Sequence, residues 1–360
     1  MNTIENHHVS KIEPLLPPSW IKKSIPTNSL AQSQVMRTRA EISNILNRKD
    51  PRLLVVVGPC SIHDPIAVLD YANRLKTLRH QLNDNLCIVM RAYFEKPRTT
   101  VGWKGFINDP HLDNSCDINH GLQQARKLLV DINAMGLPVA TEFLDTIIPQ
   151  YIADLVSWGA IGARTCESQN HRNLASGLSM PIGIKNSTTG NIQAAVDGVK
   201  ASRHPHSFLG VNDQGLAGIV HTTGNTNSHI ILRGGSDTGP NYDAYNIQLA
   251  SKALEKSKLP LNIMIDCSHG NSQKNHLRQT TVVNAVQQQV STNKTSIIGI
   301  MLESFLEPGN QSLGDPDTLQ YGTSITDACI DWATTEELLT NLAQTIQASN
   351  RQSSLAGVEL

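Results

Sequence analysis

The chain has 360 residues, with 30 Lys and Arg against 31 Asp and Glu, a formal charge of −1. Its basic runs are pairs such as Lys22-Lys23 and Arg48-Lys49, which argues against a nucleic-acid partner, since counterion release needs a basic face. Apolar stretches such as Leu53 to Val57 fall far short of the ~20 residues that cross a bilayer, and no basic segment followed by an apolar one opens the chain, so the expected compartment is the cytoplasm, without a membrane partner.

Hydrophobic residues at 39% and charged residues at 17% are ordinary for a globular protein. Length allows two or three domains, but an α/β barrel uses ~250 residues as one. Residues 1–50 read as an extension in which Pro14, Pro17 and Pro18 break any early helix. A helical pattern carrying Val35, Ile42, Ile45 and Leu46 follows, up to Lys49-Asp50-Pro51. Short β-branched runs then alternate with longer helical patterns, the signature of βα units on a parallel sheet. Strands are expected at Leu53 to Val57, Cys87 to Tyr93, Pro138 to Glu142, Ala160 to Arg164 and Pro181 to Lys185, then at Ser207 to Val211, His229 to Arg233, Asn262 to Asp266 and Ile297 to Glu303. Between Val211 and a second short run ending at Val220 there is no room for a crossover helix, so residues 207–221 read as an inserted β-hairpin. Eight βα units remain, without a GxGxxG, and predict a closed (β/α)8 TIM barrel over 51–347, with 348–360 as a mobile C-terminal tail.

The residues at or just beyond the eight strand ends are Cys60, Arg91, Glu142, Arg164, Lys185, Arg233, His269 and Glu303. In a barrel these ends converge on one mouth, so residues more than 240 positions apart are expected to share a cavity. Arg91, Arg164, Lys185 and Arg233, joined by Lys96 and Arg98, make a cluster of cations that anions must fill, and guanidinium forks suit phosphates and carboxylates. The bland alternative is a ring of ion pairs with Glu95, Asp109 and Glu142. Cys60, His269, Glu303 and Asp327 could form a divalent metal site with an open position, the mixed ligands leaving Mn, Fe, Co, Zn or Cu open. Equally, His269 could be a hydrogen-bonded strand-end residue and Cys60 a core thiol. The six cysteines form no CxxC pair, and most are expected in the core.

The blocks LVVVGPCSIHD from Leu54, VMRAYFEKPRTTVGWKG from Val89, IGARTCESQNHR from Ile161, HIILRGG from His229, IDCSHGN from Ile265 and YGTSITDACIDW from Tyr321 resemble the class I 3-deoxy-D-arabino-heptulosonate 7-phosphate (DAHP) synthases, in the branch regulated by aromatic amino acids. The resemblance runs from about Ile12 to near Gln347. It implies condensation of phosphoenolpyruvate with erythrose 4-phosphate on a (β/α)8 barrel with one divalent transition metal ion per subunit. Carried over by position, Cys60, His269, Glu303 and Asp327 hold the metal; Arg91, Lys96, Arg164, Lys185 and Arg233 take phosphoenolpyruvate; Arg98 and Thr99 take the sugar phosphate. Lys96 is the expected proton donor to the aldehyde, on the argument that neighbouring cations disfavour its charged form. Glu142 is a candidate for activating water.

The same resemblance places an aromatic amino acid effector at Pro149, Gln150, Ser179, Phe208, Gly210 and Val220, with tyrosine favoured because Gly210 leaves room for a phenol oxygen. It also implies a homodimer or homotetramer, with the proline-containing arm and first helix packed on a partner. Three departures stand out: Ser187 where Gly is expected, which strains the loop if that position needs a positive φ; Cys267 in place of Phe; and Pro308 in place of Glu. Competing readings are the related 3-deoxy-octulosonate 8-phosphate synthase, a Schiff-base aldolase using Lys185, and a non-catalytic sensor of aromatic amino acids.

Overall fold

The computed structural model describes residues 4–292 and 295–356. Its strands in chain order are β1 (Leu53–Gly58), β2 (Leu86–Arg91), β3 (Val139–Glu142), β4 (Trp158–Ile161), β5 (Ile182–Lys185), β6 (Ser207–Val211), β7 (Ala217–His221), β8 (His229–Leu232), β9 (Ile263–Asp266) and β10 (Ile297–Glu303). All except β6 and β7 close into a barrel in the order β1-β2-β3-β4-β5-β8-β9-β10, and every barrel pairing is parallel. Their residues are buried throughout, as expected of strands with side chains inside the barrel and helices outside. β6 and β7 form the antiparallel hairpin expected from the sequence, with Phe208 opposite Val220 and Gly210 opposite Gly218.

The helices are α1 (Pro18–Ser24), α2 (Ser29–Leu46), α3 (Pro65–Leu82), α4 (Ile118–Ala134), α5 (Pro149–Ile152), α6 (Gln169–Gly177), α7 (Ile192–Ser202), α8 (Ala244–Lys256), α9 (Arg278–Val290) and α10 (Trp332–Ala356). Side chains of Asn28, Asp64, Asp117, Asn191 and Asp243 accept from first-turn N–H groups and fix where five of them begin. No helix among the described residues is long and apolar enough to cross a membrane.

Some boundaries differ from expectation for physical reasons. Pro18 starts α1 instead of preventing it, because proline is tolerated in the first helical turn. β4 lies two to three residues earlier than its apolar run suggested, since pairing of Ala140 with Trp158 and Glu142 with Ala160 sets its register. The expected tail from Ala348 is helical through Ala356, with no Gly or Pro to stop it, and Ser349 is buried with its hydroxyl donating to Ser291 O at 3.1 Å. Residues 357–360 lie outside the described residues.

The first helices pack on their own chain. Ile42, Ile45 and Leu46 of α2 join Leu54, Val56 and Trp158 in the cluster that fills the lower barrel, and Asn262 donates to Leu46 O at 2.9 Å. Thus α2 closes the N-terminal end of the barrel, and its apolar face is already covered. α1 packs on α5 and reaches the hairpin turn, where Ser19 N donates to Asp213 O at 2.7 Å and Lys22 pairs with Asp213 at 2.7 Å.

Candidate active site at the barrel mouth

Arg91, Glu142, Lys185 and Glu303 are the last residues of β2, β3, β5 and β10. The other expected mouth residues sit on the following loops: Arg233 directly after β8, Cys60 after β1, Arg164 after β4 and His269 after β9. His269 has φ +53°, a conformation uncommon for a residue with a side chain.

The Cys60 sulfur and one carboxylate oxygen from each of Glu303 and Asp327 lie within 4.8 Å of one another, a group able to hold a metal ion. His269 stands beside this group of three, its Nε2 3.7 Å from Glu303 Oε1. One thiol and two carboxylates therefore meet at one place, with an imidazole next to Glu303, and their chemistry fits a divalent transition ion. The thiol donates to Asp327 Oδ2 at 3.6 Å. Burial, with Glu303 adding to it, pushes the Cys60 thiol up to about 11, so an ion binding there must displace a proton.

Arg91 lies beneath this group, 1% exposed. Its guanidinium donates to Pro59 O at 3.0 Å, Cys60 O at 3.1 Å and Glu303 Oε1 at 3.0 Å, and stacks 3.6 Å from the Tyr93 ring centroid. Only Nη1 faces a weak acceptor, Met301 Sδ at 3.2 Å.

Lys96 requires a correction. Its ammonium donates to Cys60 Sγ at 3.0 Å. Burial alone lowers its pKa, but Cys60, Glu303 and Asp327 outweigh burial and Arg91, and the net direction is upward. Its surroundings are anionic, because β10 and the loop beyond it fold over Lys96. The ring of ion pairs is also only partly present. Lys185 lies 3.2 Å from Asp266 and 3.6 Å from Glu142, and Arg91 pairs with Glu303. Glu95, however, accepts from the backbone N–H groups of Leu144 and Asp145, and burial pushes it up to about 8. Asp109 accepts from Asn114 N, at 3.2 Å. Among the described residues, Arg98, Arg164 and Arg233 have no carboxylate at ion-pair distance. Arg164 donates to Thr99 Oγ1 at 3.1 Å and Arg98 to Trp103 O at 2.8 Å, while burial and the nearby Arg164 lower Arg233.

Glu142 is buried, which alone raises its pKa, but Lys185, Lys96 and Arg91 hold it below the ordinary value. Gly162 makes room for it: a Cβ there collides with the Glu142 carboxylate.

Two residues at this end escape the strand-end pattern. Asp266 is fully buried between Lys185 and His269, and the sequence signal for it was available, because it closes a β-branched run as Glu142 and Glu303 do. Gln279 of α9 exchanges two hydrogen bonds of 2.9 Å with the Glu303 backbone; nothing in the sequence marks it. Of the departures, Ser187 is not in a positive-φ conformation, and its hydroxyl accepts from Asn191 N at 3.0 Å, so the expected strain is absent. Cys267 is a buried thiol directed at Ile265 O.

The effector candidates fall in two places. Pro149 and Gln150 lie on α5, while Phe208, Gly210 and Val220 lie on one half-buried face of the hairpin, whose other face exposes Leu209 and Ile219. Ser179 is exposed after α6, the helix against which β6 packs. α1 joins the two places by touching both α5 and the hairpin turn.

Fold and mouth together define a (β/α)8 barrel enzyme with a side-chain group able to hold a metal ion. Residues 29–340 match the DAHP synthetase I family. The chain belongs to that family, the DAHP synthases, enzymes of the first step of the shikimate pathway. It is 55% identical over 340 residues to the Phe-sensitive phospho-2-dehydro-3-deoxyheptonate aldolase of Escherichia coli K12, covering 94% of this chain and 97% of that one. It is 50% identical over 349 residues to the tyrosine-inhibited enzyme of Schizosaccharomyces pombe, covering 96% and 94%. The solved phospho-2-dehydro-3-deoxyheptonate aldolase of Francisella tularensis SCHU S4 superposes with a TM-score of 0.93 at 49% identity, covering 95% of this chain and 99% of that one.

Proposed function

We propose that this protein condenses phosphoenolpyruvate with D-erythrose 4-phosphate and water to give DAHP and phosphate, using one divalent transition metal ion per subunit held by Cys60, His269, Glu303 and Asp327. The observation that carries this reading is the set of guanidiniums of Arg98, Arg164 and Arg233, without carboxylate partners among the described residues, on the mouth that also holds the thiol-carboxylate group. Two phosphorylated anions repel each other in water, and fixed cations both neutralise and orient them.

In this scheme Arg164, Lys185 and Arg233 hold phosphoenolpyruvate with Lys96, and Arg91 reaches it through Nη1. Arg98 and Thr99 hold the phosphate of the sugar. When bound, the metal supplies Lewis-acid polarisation of the aldehyde oxygen. Lys96, kept protonated by the anionic groups around it, donates a proton to that oxygen as C3 of the enol bonds to the aldehyde carbon. Water then adds at C2, with Glu142 the candidate to accept its proton, and phosphate leaves by C–O cleavage.

An aromatic amino acid bound by Pro149, Gln150, Ser179, Phe208, Gly210 and Val220 supplies feedback inhibition, with tyrosine favoured. Relatives named for phenylalanine, tyrosine and tryptophan are 55%, 48–50% and 50% identical, and the tyrosine reading rests on Gly210 rather than on overall identity. A Cβ there comes 2.7 Å from Val220 Cγ2, so a serine displaces Val220 and narrows the face. The enzyme is proposed to work in the cytoplasm as a homodimer or homotetramer.

The test is consumption of phosphoenolpyruvate with erythrose 4-phosphate or with arabinose 5-phosphate, each aromatic amino acid being added in turn. Turnover with the four-carbon sugar alone, inhibited most by tyrosine, is expected. Preference for the pentose phosphate contradicts the substrate reading, and insensitivity to tyrosine contradicts the effector reading.

A further inference from the structure

Asp266 closes β9 with 0% exposure, and its two carboxylate oxygens serve different neighbours. Oδ1 accepts from Ser268 Oγ at 2.6 Å and from Ser268 N at 3.0 Å, which fixes the plane of the carboxylate. Oδ2 lies 2.9 Å from His269 Nδ1 and 3.2 Å from Lys185 Nζ. Nδ1 also lies 2.8 Å from Ser268 Oγ, whose own hydroxyl donates to Asp266 Oδ1, so a proton on Nδ1 is accepted by Ser268 Oγ beside Oδ2 and leaves the Nε2 lone pair free on the side of Glu303, 3.7 Å away. Carboxylates that hold a metal-binding imidazole in this way set its tautomer and raise its basicity. The same oxygen tethers the ammonium of Lys185, whose other anionic neighbour, Glu142, is farther away at 3.6 Å.

From this we infer that Asp266 is a positioning residue shared by two sites: it orients His269 toward the metal and holds Lys185 toward phosphoenolpyruvate, so that one carboxylate sets the affinity of both. This rests on the reading of His269 and Lys185 given above. It adds that the two sites are joined through a single carboxylate, whose Oδ2 lies at ion-pair distance from both His269 and Lys185.

The test uses full-length protein stripped of metal. Cobalt(II) is titrated and followed by the thiolate-to-metal absorption of Cys60, and phosphoenolpyruvate is titrated separately by calorimetry without metal. Asp266→Asn, nearly equal in shape, is expected to weaken cobalt binding ~10–100-fold and phosphoenolpyruvate binding about 10-fold. His269→Ala is expected to weaken cobalt alone, and Lys185→Met phosphoenolpyruvate alone. Asp266→Asn with wild-type affinity in either titration overturns the shared role while leaving the single assignments standing. Wild-type phosphoenolpyruvate binding by Lys185→Met, or wild-type cobalt binding by His269→Ala, instead overturns the site reading beneath it. Should Asp266→Asn fail to fold, Ser268→Ala, which removes the hydroxyl from both Asp266 Oδ1 and His269 Nδ1, decides the matter: several-fold weakening of both titrations supports the role, and wild-type values overturn it.

Discussion

At the floor of the barrel, Ile42, Ile45 and Leu46 meet Leu54, Val56 and Trp158, and the polar contact there is neutral, Trp158 Nε1 donating to His229 Nε2 at 3.2 Å. At the mouth, a few strand residues away, Arg91, Lys96, Glu142, Lys185, Asp266 and Glu303 are all buried and chargeable. Both ends bury side chains, but at opposite cost. Apolar burial at the floor contributes stability outright, whereas each buried charge at the mouth is tolerable only while its partner is in place. The barrel thus separates the end that holds the fold from the end proposed to perform the chemistry, and changes at each end should read out differently.

The largest expected effect belongs to the mouth. Asp327→Ala removes an exposed carboxylate from the thiol-carboxylate group, and steady-state assays should show a ~10³-fold loss of activity with little change in the thermal midpoint. At the floor, Ile42→Ala should cost about 4 kcal/mol in denaturant unfolding while kcat at 25 °C stays near wild type. A mouth variant that lowers stability without lowering activity, or a floor variant that does the reverse, breaks the comparison.

Acid sharpens it. Burial pushes His229 down to about 4 from the ordinary 6.5, so the folded protein keeps it neutral while the unfolded chain takes a proton. Stability from this group is therefore complete above pH 6.5 and is lost as pH falls toward 4, by roughly 3 kcal/mol. His229→Gln should flatten the dependence of the thermal midpoint across that range. The smallest effect is at Ser187, where Ser187→Gly should cost about 1 kcal/mol through the lost contact with Asn191 N, with no relief of strain.

Much of the mouth was legible in sequence because a parallel barrel converts strand ends into a shared cavity. Eight polar residues read from spacing do lie together at the C-terminal end of the barrel strands. What spacing could not supply was the partner of each group. It counted Lys96 among cations, but the loop carrying Asp327 and the end of β10 surround it with anions. It went past Asp266 to His269, because the left-handed turn at His269 brings a loop residue back beside the strand end. Likewise the amphipathic pattern of α2 announced an apolar face without saying that the chain's own barrel covers it. The C-terminal tail expected from Ala348 continues α10 as far as Ala356, since no helix breaker precedes Gly357.

The central claim is that the mouth holds its charges for a metal and two anionic substrates. It is tested most directly by following phosphoenolpyruvate loss and phosphate release in the presence of erythrose 4-phosphate, before a chelator, after it, and after a divalent metal is restored. The account predicts turnover that the chelator abolishes and the metal recovers, with one phosphate released per phosphoenolpyruvate consumed. Turnover that persists in the metal-stripped enzyme, or phosphoenolpyruvate loss that does not depend on the sugar phosphate, would contradict it.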